Sequence, residues 1–255
     1  MGLFDKVKGM YDDEEVINIR KHLKRGKSLQ SSGELVSAIK EFETVILYDA
    51  NNADAYFATG QCYHNLARRE NESAGGTIYF CAGIENLRNS IISFEKVTVL
   101  QPGMPDGYLN LGLAYDNFCE LAKAEQCYRK TIKLDPTGMD GADACFNLAI
   151  LRYMRLIGWA GLKNFPEYPN KKIDNDALEE VFQLAEKGIS IGKKLIKHRT
   201  NYTQNLLQAH KQLGRWYMQH SLKNRALEHY RSVLNFDSKD QEAKERMAQI
   251  NGKLS

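Results

Sequence analysis

Cysteine and proline are both scarce in this chain, five of each in 255 residues. Cys62, Cys81, Cys119, Cys127 and Cys145 are odd in number and contain no C-x-x-C pair, which argues against a disulfide framework or a structural zinc site and fits a reducing compartment. Long apolar runs are missing as well. None approaches the roughly 20 residues that a membrane span requires, and the N-terminus lacks the apolar core of a signal peptide, so the expected location is cytoplasmic. Excess charge is also lacking: the formal net charge is +3, without the basic blocks or stripes that nucleic-acid binding uses. The nearest approach, Lys193, Lys194, Lys197, His198 and Arg199, reads as the solvated end of a helix.

Catalytic signatures are absent too. The fragment Arg25-Gly26-Lys27-Ser28 has Lys21 where a phosphate loop needs its first glycine, and no strand precedes it. Cys62 and His64, two residues apart, point about 200° apart on a helix, so they do not form a metal pair. The six histidines form no H-E-x-x-H, and neither G-x-S-x-G nor G-x-G-x-x-G occurs. The sequence therefore predicts a protein without catalysis, cofactor or metal. What remains is an ordinary folded composition, 43% hydrophobic and 26% charged, in a chain long enough to bury its own core.

That core repeats. Tyr108-x2-Leu111-Gly112-x2-Tyr115 is followed by Ala124-x3-Tyr128 and then Pro136. Gly26 with Leu29, Ala38-x3-Phe42 and Ala50 keep the same register, as do Leu213-Gly214-x2-Tyr217, Ala226-x3-Tyr230 and Ser238. Two further copies are interrupted. Tyr56-x2-Thr59-Gly60-x2-Tyr63 waits about 18 residues longer for Ser90-x3-Phe94 and Pro102, and Cys145-x2-Leu148-Ala149 about 17 longer for Leu178-x3-Phe182-x2-Ala185. Eighteen residues are about five helical turns, so the first interruption predicts two lengthened helices reversing near Gly75-Gly76. Pro166 and Pro169 in the second predict a projecting loop before a helix that starts near Asp174 to Asp176. The tyrosines of each first helix are expected to bury against Phe42, Phe94 and Tyr128. The glycines and Ala38, Ala124 and Ala226 let the backbones approach, and Pro102 and Pro136 close their second helices.

This pattern resembles the tetratricopeptide repeat (TPR), a helix-turn-helix of 34 residues with the signature W-x2-L-G-x2-Y, A-x3-F and P. The resemblance implies an all-α, right-handed α-solenoid of such hairpins with a C-terminal capping helix. The expected boundaries are an N-terminal tail or cap at 1–15, repeats at about 19–52, 53–104, 105–138, 142–190 and 207–240, and the cap at 241–255. In that cap Ala243, Met247 and Ile250 form the apolar stripe that shields the last hairpin.

The resemblance also places function on the concave surface of the first helices, around the repeat glycine or its substitute. It assigns Asn110, Ala114, Asn147 and Leu151 to that surface or its rim. One step further round lie Phe57, Gln61, His64, Leu109, Leu113, Asp116, Phe146, Ile150 and Tyr153. An apolar middle rimmed by Asn110, Asn117 and Asn147, with Lys27 at one end and Lys211 and Arg215 at the other, suits a peptide or amphipathic helix of a protein partner. Packing among the first helices themselves is the competing use of the same residues. Leu23, Phe57 and Leu109 stand where chaperone-binding relatives need polar or basic clamp residues, so a terminal carboxylate is not the expected ligand.

The function read from the sequence is thus an interaction scaffold that supports complex assembly, with self-association as one form of it. Alternatives are a membrane-tethered assembly factor and a helical-repeat RNA binder, for which the basic stripe is lacking. The membrane reading rests on Leu3, Phe4, Val7, Met10 and Tyr11 sharing one helical face, an interfacial pattern. Met1-Gly2 begins like a myristoylation signal, but Lys6 stands where Ser or Thr belongs. A tail or cap is the plainer reading, with Asp12 to Glu15 as the acidic first turn of the next helix.

Overall fold

The structure, a computed structural model, describes residues 3–75, 83–156, 175–196 and 203–252, with the backbone alone for 3–14, 196 and 203–206. Regular structure among these residues is entirely helical: α1 (Leu3–Ser32), α2 (Leu35–Tyr48), α3 (Ala53–Ser73), α4 (Ile84–Leu100), α5 (Pro105–Asn117), α6 (Leu121–Leu134), α7 (Met139–Leu156), α8 (Asn175–Ile196), α9 (Thr203–Gln219), α10 (Lys223–Phe236) and α11 (Gln241–Ile250). The chain divides into two compact units, 1–130 and 131–255, with the division inside α6.

The repeat residues explain each hairpin. A side-chain carbon added at Gly26 would lie 2.6 Å from the Phe42 ring, at Gly60 2.8 Å from Phe94, at Gly112 2.8 Å from Tyr128, and at Gly214 2.9 Å from Tyr230. The glycine is therefore the flat seat on which the aromatic ring of the second helix rests, and all four rings are fully buried. Burying one such ring is worth about 1.5–3 kcal/mol. Ala38, Ala124 and Ala226 are buried without exposure and keep the second helix close. In the fourth hairpin Ala149 replaces the glycine, and the small residue has moved across: a carbon added at Gly188 of α8 would sit 2.8 Å from the Ala142 carbonyl of α7.

Turns follow one rule. Gly33 (φ 84°), Cys119 (φ 64°) and Ser221 (φ 62°) each stand seven residues after their repeat glycine, in the left-handed region that reverses the chain. The next residue's amide then reaches back five positions: Glu34 to Leu29, Glu120 to Tyr115 and Leu222 to Tyr217. Helix ends carry their expected signals. Asn52 caps α3 and Asp240 caps α11, each accepting from the amide three residues on. Pro105 opens α5, while α4 and α6 stop two residues short of Pro102 and Pro136.

Successive hairpins are tied by one recurrent contact. Tyr63 donates to Glu43 at 3.2 Å, and Tyr115 donates to Glu95 in the same unit. In the second unit Tyr217 donates to Glu186. Inside each of two hairpins of the first unit a second contact recurs, Lys96 over Tyr56 and Lys130 over Tyr108, at 5.9 and 5.6 Å from the ring centres.

The interruption in the second hairpin lengthens both helices: α3 has 21 residues and α4 has 17, against 13 and 14 in α5 and α6. Gly75 follows α3 at φ 101°; Gly76 lies outside the described residues, as does the proline-rich loop. The helix predicted after that loop begins at Asn175. One expectation is corrected. Asp12 to Glu15 are not a first helical turn, because α1 runs unbroken for 30 residues and passes through them. Nothing at these positions ends a helix: proline is absent and the acidic residues tolerate a helix interior. At 1.5 Å per residue α1 is about 45 Å long, whereas the 14 residues of α2 cover about 21 Å. No helix among the described residues is long and apolar enough to cross a membrane.

Candidate peptide-binding site

In the first unit the candidate residues lie on α1, α3 and α5, and the structure gives several of them partners. The Gln30 amide donates to Gln61 at 3.2 Å, and Asn117 meets His64 Nε2 at 3.0 Å. Phe57 packs edge-on against Phe94, centroids 5.7 Å apart. Burial, aided by the Arg68 charge, pushes His64 down to about 4, so its ring is neutral at physiological pH. Asp116 is pushed up to about 6 by burial, against the Tyr128 hydroxyl donating to it at 3.4 Å.

Several expectations change here. Leu109 and Ala114 are buried, so they belong to the packing of α5 and not to an open face. Asn110 is spent on its own helix, donating to the Asp106 carbonyl at 2.9 Å and carboxylate at 2.6 Å, and Asn117 is engaged with His64. Those two amides are therefore occupied, not poised for a ligand's backbone. Lys27 is exposed, and Phe57, Gln61 and Leu113 are half-buried.

In the second unit Phe146, Asn147 and Ile150 of α7 are half-buried. Tyr153 and Leu151 are buried. Tyr153 stacks on Trp216 at 4.2 Å and donates to Gln219 at 2.6 Å, while Phe146 stacks on the same indole at 6.4 Å. The sequence pattern does not single out Trp216, although it stands two residues after the repeat glycine, where an inward position is assigned. Lys211 and Arg215 are likewise engaged. Lys211 Nζ lies 2.5 Å from Asp240 and 3.6 Å from Glu242, and Arg215 Nε lies 3.0 Å from Glu242. The sequence alone leaves these cations free at the groove's end; the structure uses them to fasten the start of α11. Among the described residues no three His, Cys, Asp or Glu side chains form a metal-holding group.

Residues 105–137 match the tetratricopeptide repeat family. That stretch is a tetratricopeptide repeat. The fold of the chain is similar to that of MamA protein, with a TM-score of 0.57 at 18% identity, covering 87% of this chain and 93% of that one. A thermophilic TPR protein of Thermus thermophilus gives 0.53 at 13% identity, covering 91% and 98%. YrrB, described as a TPR protein with an unusual peptide-binding site, gives 0.52 at 16% identity, covering 97% of each chain. At these identities the similarity establishes the fold. No curated protein sequence matches the chain.

Proposed function

We propose that this chain is a non-catalytic scaffold that binds a peptide or helix of a protein partner on the inward faces of its first helices. The observation that carries the reading is a division of labour along α3 and α5. Gly60 and Gly112 are consumed by hairpin packing, whereas Phe57, Gln61 and Leu113 remain half-buried, with apolar surface the hairpins do not use. Half-exposed aromatic and aliphatic side chains beside amides are what a docking helix needs for its anchors. YrrB's description as peptide-binding supports the same use of the fold.

Selection of a displayed random-peptide library on the purified chain tests this. Binders should be enriched and should lose at least tenfold in affinity against Leu113→Glu, with the circular dichroism of the variant unchanged. Failure to enrich any peptide, or equal binding by the variant, overturns the assignment.

The N-terminal half of α1 supports a second reading, contact with a membrane surface through Leu3, Phe4, Val7 and Met10, since the helix continues through these positions. Flotation with vesicles, with and without residues 1–11, tests it.

A further inference from the structure

In the first and last hairpins the position four before the repeat glycine faces the position just before the aromatic residue of the second helix. In the first hairpin these are His22 and Glu41, 2.7 Å apart. In the last they are His210 and His229, whose Nδ1 atoms lie 2.9 Å apart with both residues buried. We propose that His210 and His229 form an acid-released latch: neutral, they hold α9 against α10, and protonation lets that hairpin open while the α1–α2 hairpin stays closed.

The donor count makes the pair sensitive. Between two neutral rings one Nδ1–H donates to the other ring's Nδ1 lone pair. A first added proton must go to an Nε2 atom. On His210 that atom is buried and has no hydrogen-bond partner among the described residues, so the new N–H is left without an acceptor in a buried site. On His229 the charge comes under the field of Lys193 from α8, which acts on both rings. A second proton removes the remaining acceptor at Nδ1 and sets two cations in contact. The other groups around the pair give no relief: the Tyr217 ring of α9 is 5.4 Å from His229, its hydroxyl is committed to Glu186, and the Phe236 ring of α10 is 6.3 Å from His210. Burial is the main cause holding both rings neutral, His210 down to about 3 and His229 to about 4. In the first hairpin His22 faces the Glu41 carboxylate, which also meets Arg25 at 3.2 Å, so no second imidazole stands at that contact.

Two imidazoles with an ordinary value near 6.5 in the open hairpin and none protonated in the closed one raise the opening constant by about 600-fold between pH 7 and pH 5. Amide hydrogen exchange on the full chain, corrected for the intrinsic pH dependence of exchange, reads this directly. The expected result is opening that rises at least 100-fold in 207–236 and changes less than tenfold in 19–48. In the His229→Glu variant, which installs the first hairpin's pairing, the rise should fall below tenfold. Equal rises in both hairpins, or a full rise in the variant, overturn the latch. Should the variant not fold, the ring protons of the native chain decide by NMR: rings that stay neutral while the hairpin is closed support the latch, and a ring that titrates near pH 6.5 in the folded hairpin overturns it.

Discussion

A single carbon separates the repeat glycines from any other residue, and it has nowhere to go. Gly112→Ala would press 2.8–2.9 Å against the Tyr128 ring, which is hemmed in by full burial. We expect a loss of about 1–3 kcal/mol, read as a lowered urea midpoint at unchanged slope. Ser221 offers the opposite change. Its φ of 62° lies where Gly33 serves in the first turn, so Ser221→Gly should relieve about 1 kcal/mol of backbone strain and raise the melting temperature. Cysteine reactivity separates by the same residue-level reasoning. Burial pushes Cys62 up to about 11 and Cys127 up to about 12 and also raises Cys145, whereas Cys119 is exposed at a turn. Of these four, Cys119 should be alkylated in the native protein at pH 8, and the others only on unfolding, as mass spectrometry of digested protein would show.

Among elements, α11 is held by Ala243, Met247 and Ile250 against the core and by charged contacts at its first turn. Asp240 both caps the helix and meets Lys211, and Glu242 meets Lys211 and Arg215. Asp240→Ala removes the cap and leaves Lys211 with the more distant carboxylate, a loss of about 1–2 kcal/mol from the cap alone. Exchange protection in α11 should fall before that of α10. The helices themselves were legible from the sequence because glycine, small residue and aromatic ring recur at spacings that only hairpin packing requires. The fourth hairpin was harder to read, since exchanging the small residue from α7 to Gly188 of α8 preserves the packing and erases the motif. The candidate site was legible only as a face. Helical spacing identifies which residues look inward, but not which neighbours reach them first. Asn117 meeting His64, Tyr153 under Trp216 and Lys211 held by Asp240 are all partnerships between helices distant in sequence, and a one-helix pattern carries no trace of them.

For the whole molecule, acid separates the two units by the sign of their buried groups. A histidine held neutral takes up its proton on unfolding, so stability present above pH 6.5 is lost as pH falls toward the folded value; His64 does this in the first unit. Asp116, raised to about 6, does the reverse, since the folded state takes its proton before the unfolded state does and gains stability as pH falls from about 6 toward 3.8. These two effects oppose each other in residues 1–130. In residues 131–255 His210, His229 and His220 are all shifted downward, by burial first in each case, and no raised carboxylate among the described residues stands against them. Both tryptophans, Trp159 and Trp216, belong to this second stretch. Lowering the pH from 7 to 4 should therefore change tryptophan fluorescence before helical circular dichroism is lost. Coincident transitions would show that the units unfold together.

The tyrosine-to-glutamate ties between hairpins have a mechanical meaning as well. Tyr63 to Glu43, Tyr115 to Glu95 and Tyr217 to Glu186 are single rungs, each joining one hairpin to the one before it, and a rung loaded from its end breaks without help from the next. Pulled by its termini, such a chain gives way in instalments. Each uninterrupted hairpin of about 34 residues adds roughly 110 Å of extended chain when released, and the two interrupted ones about half as much again, so the force trace should be a sawtooth whose teeth count hairpins.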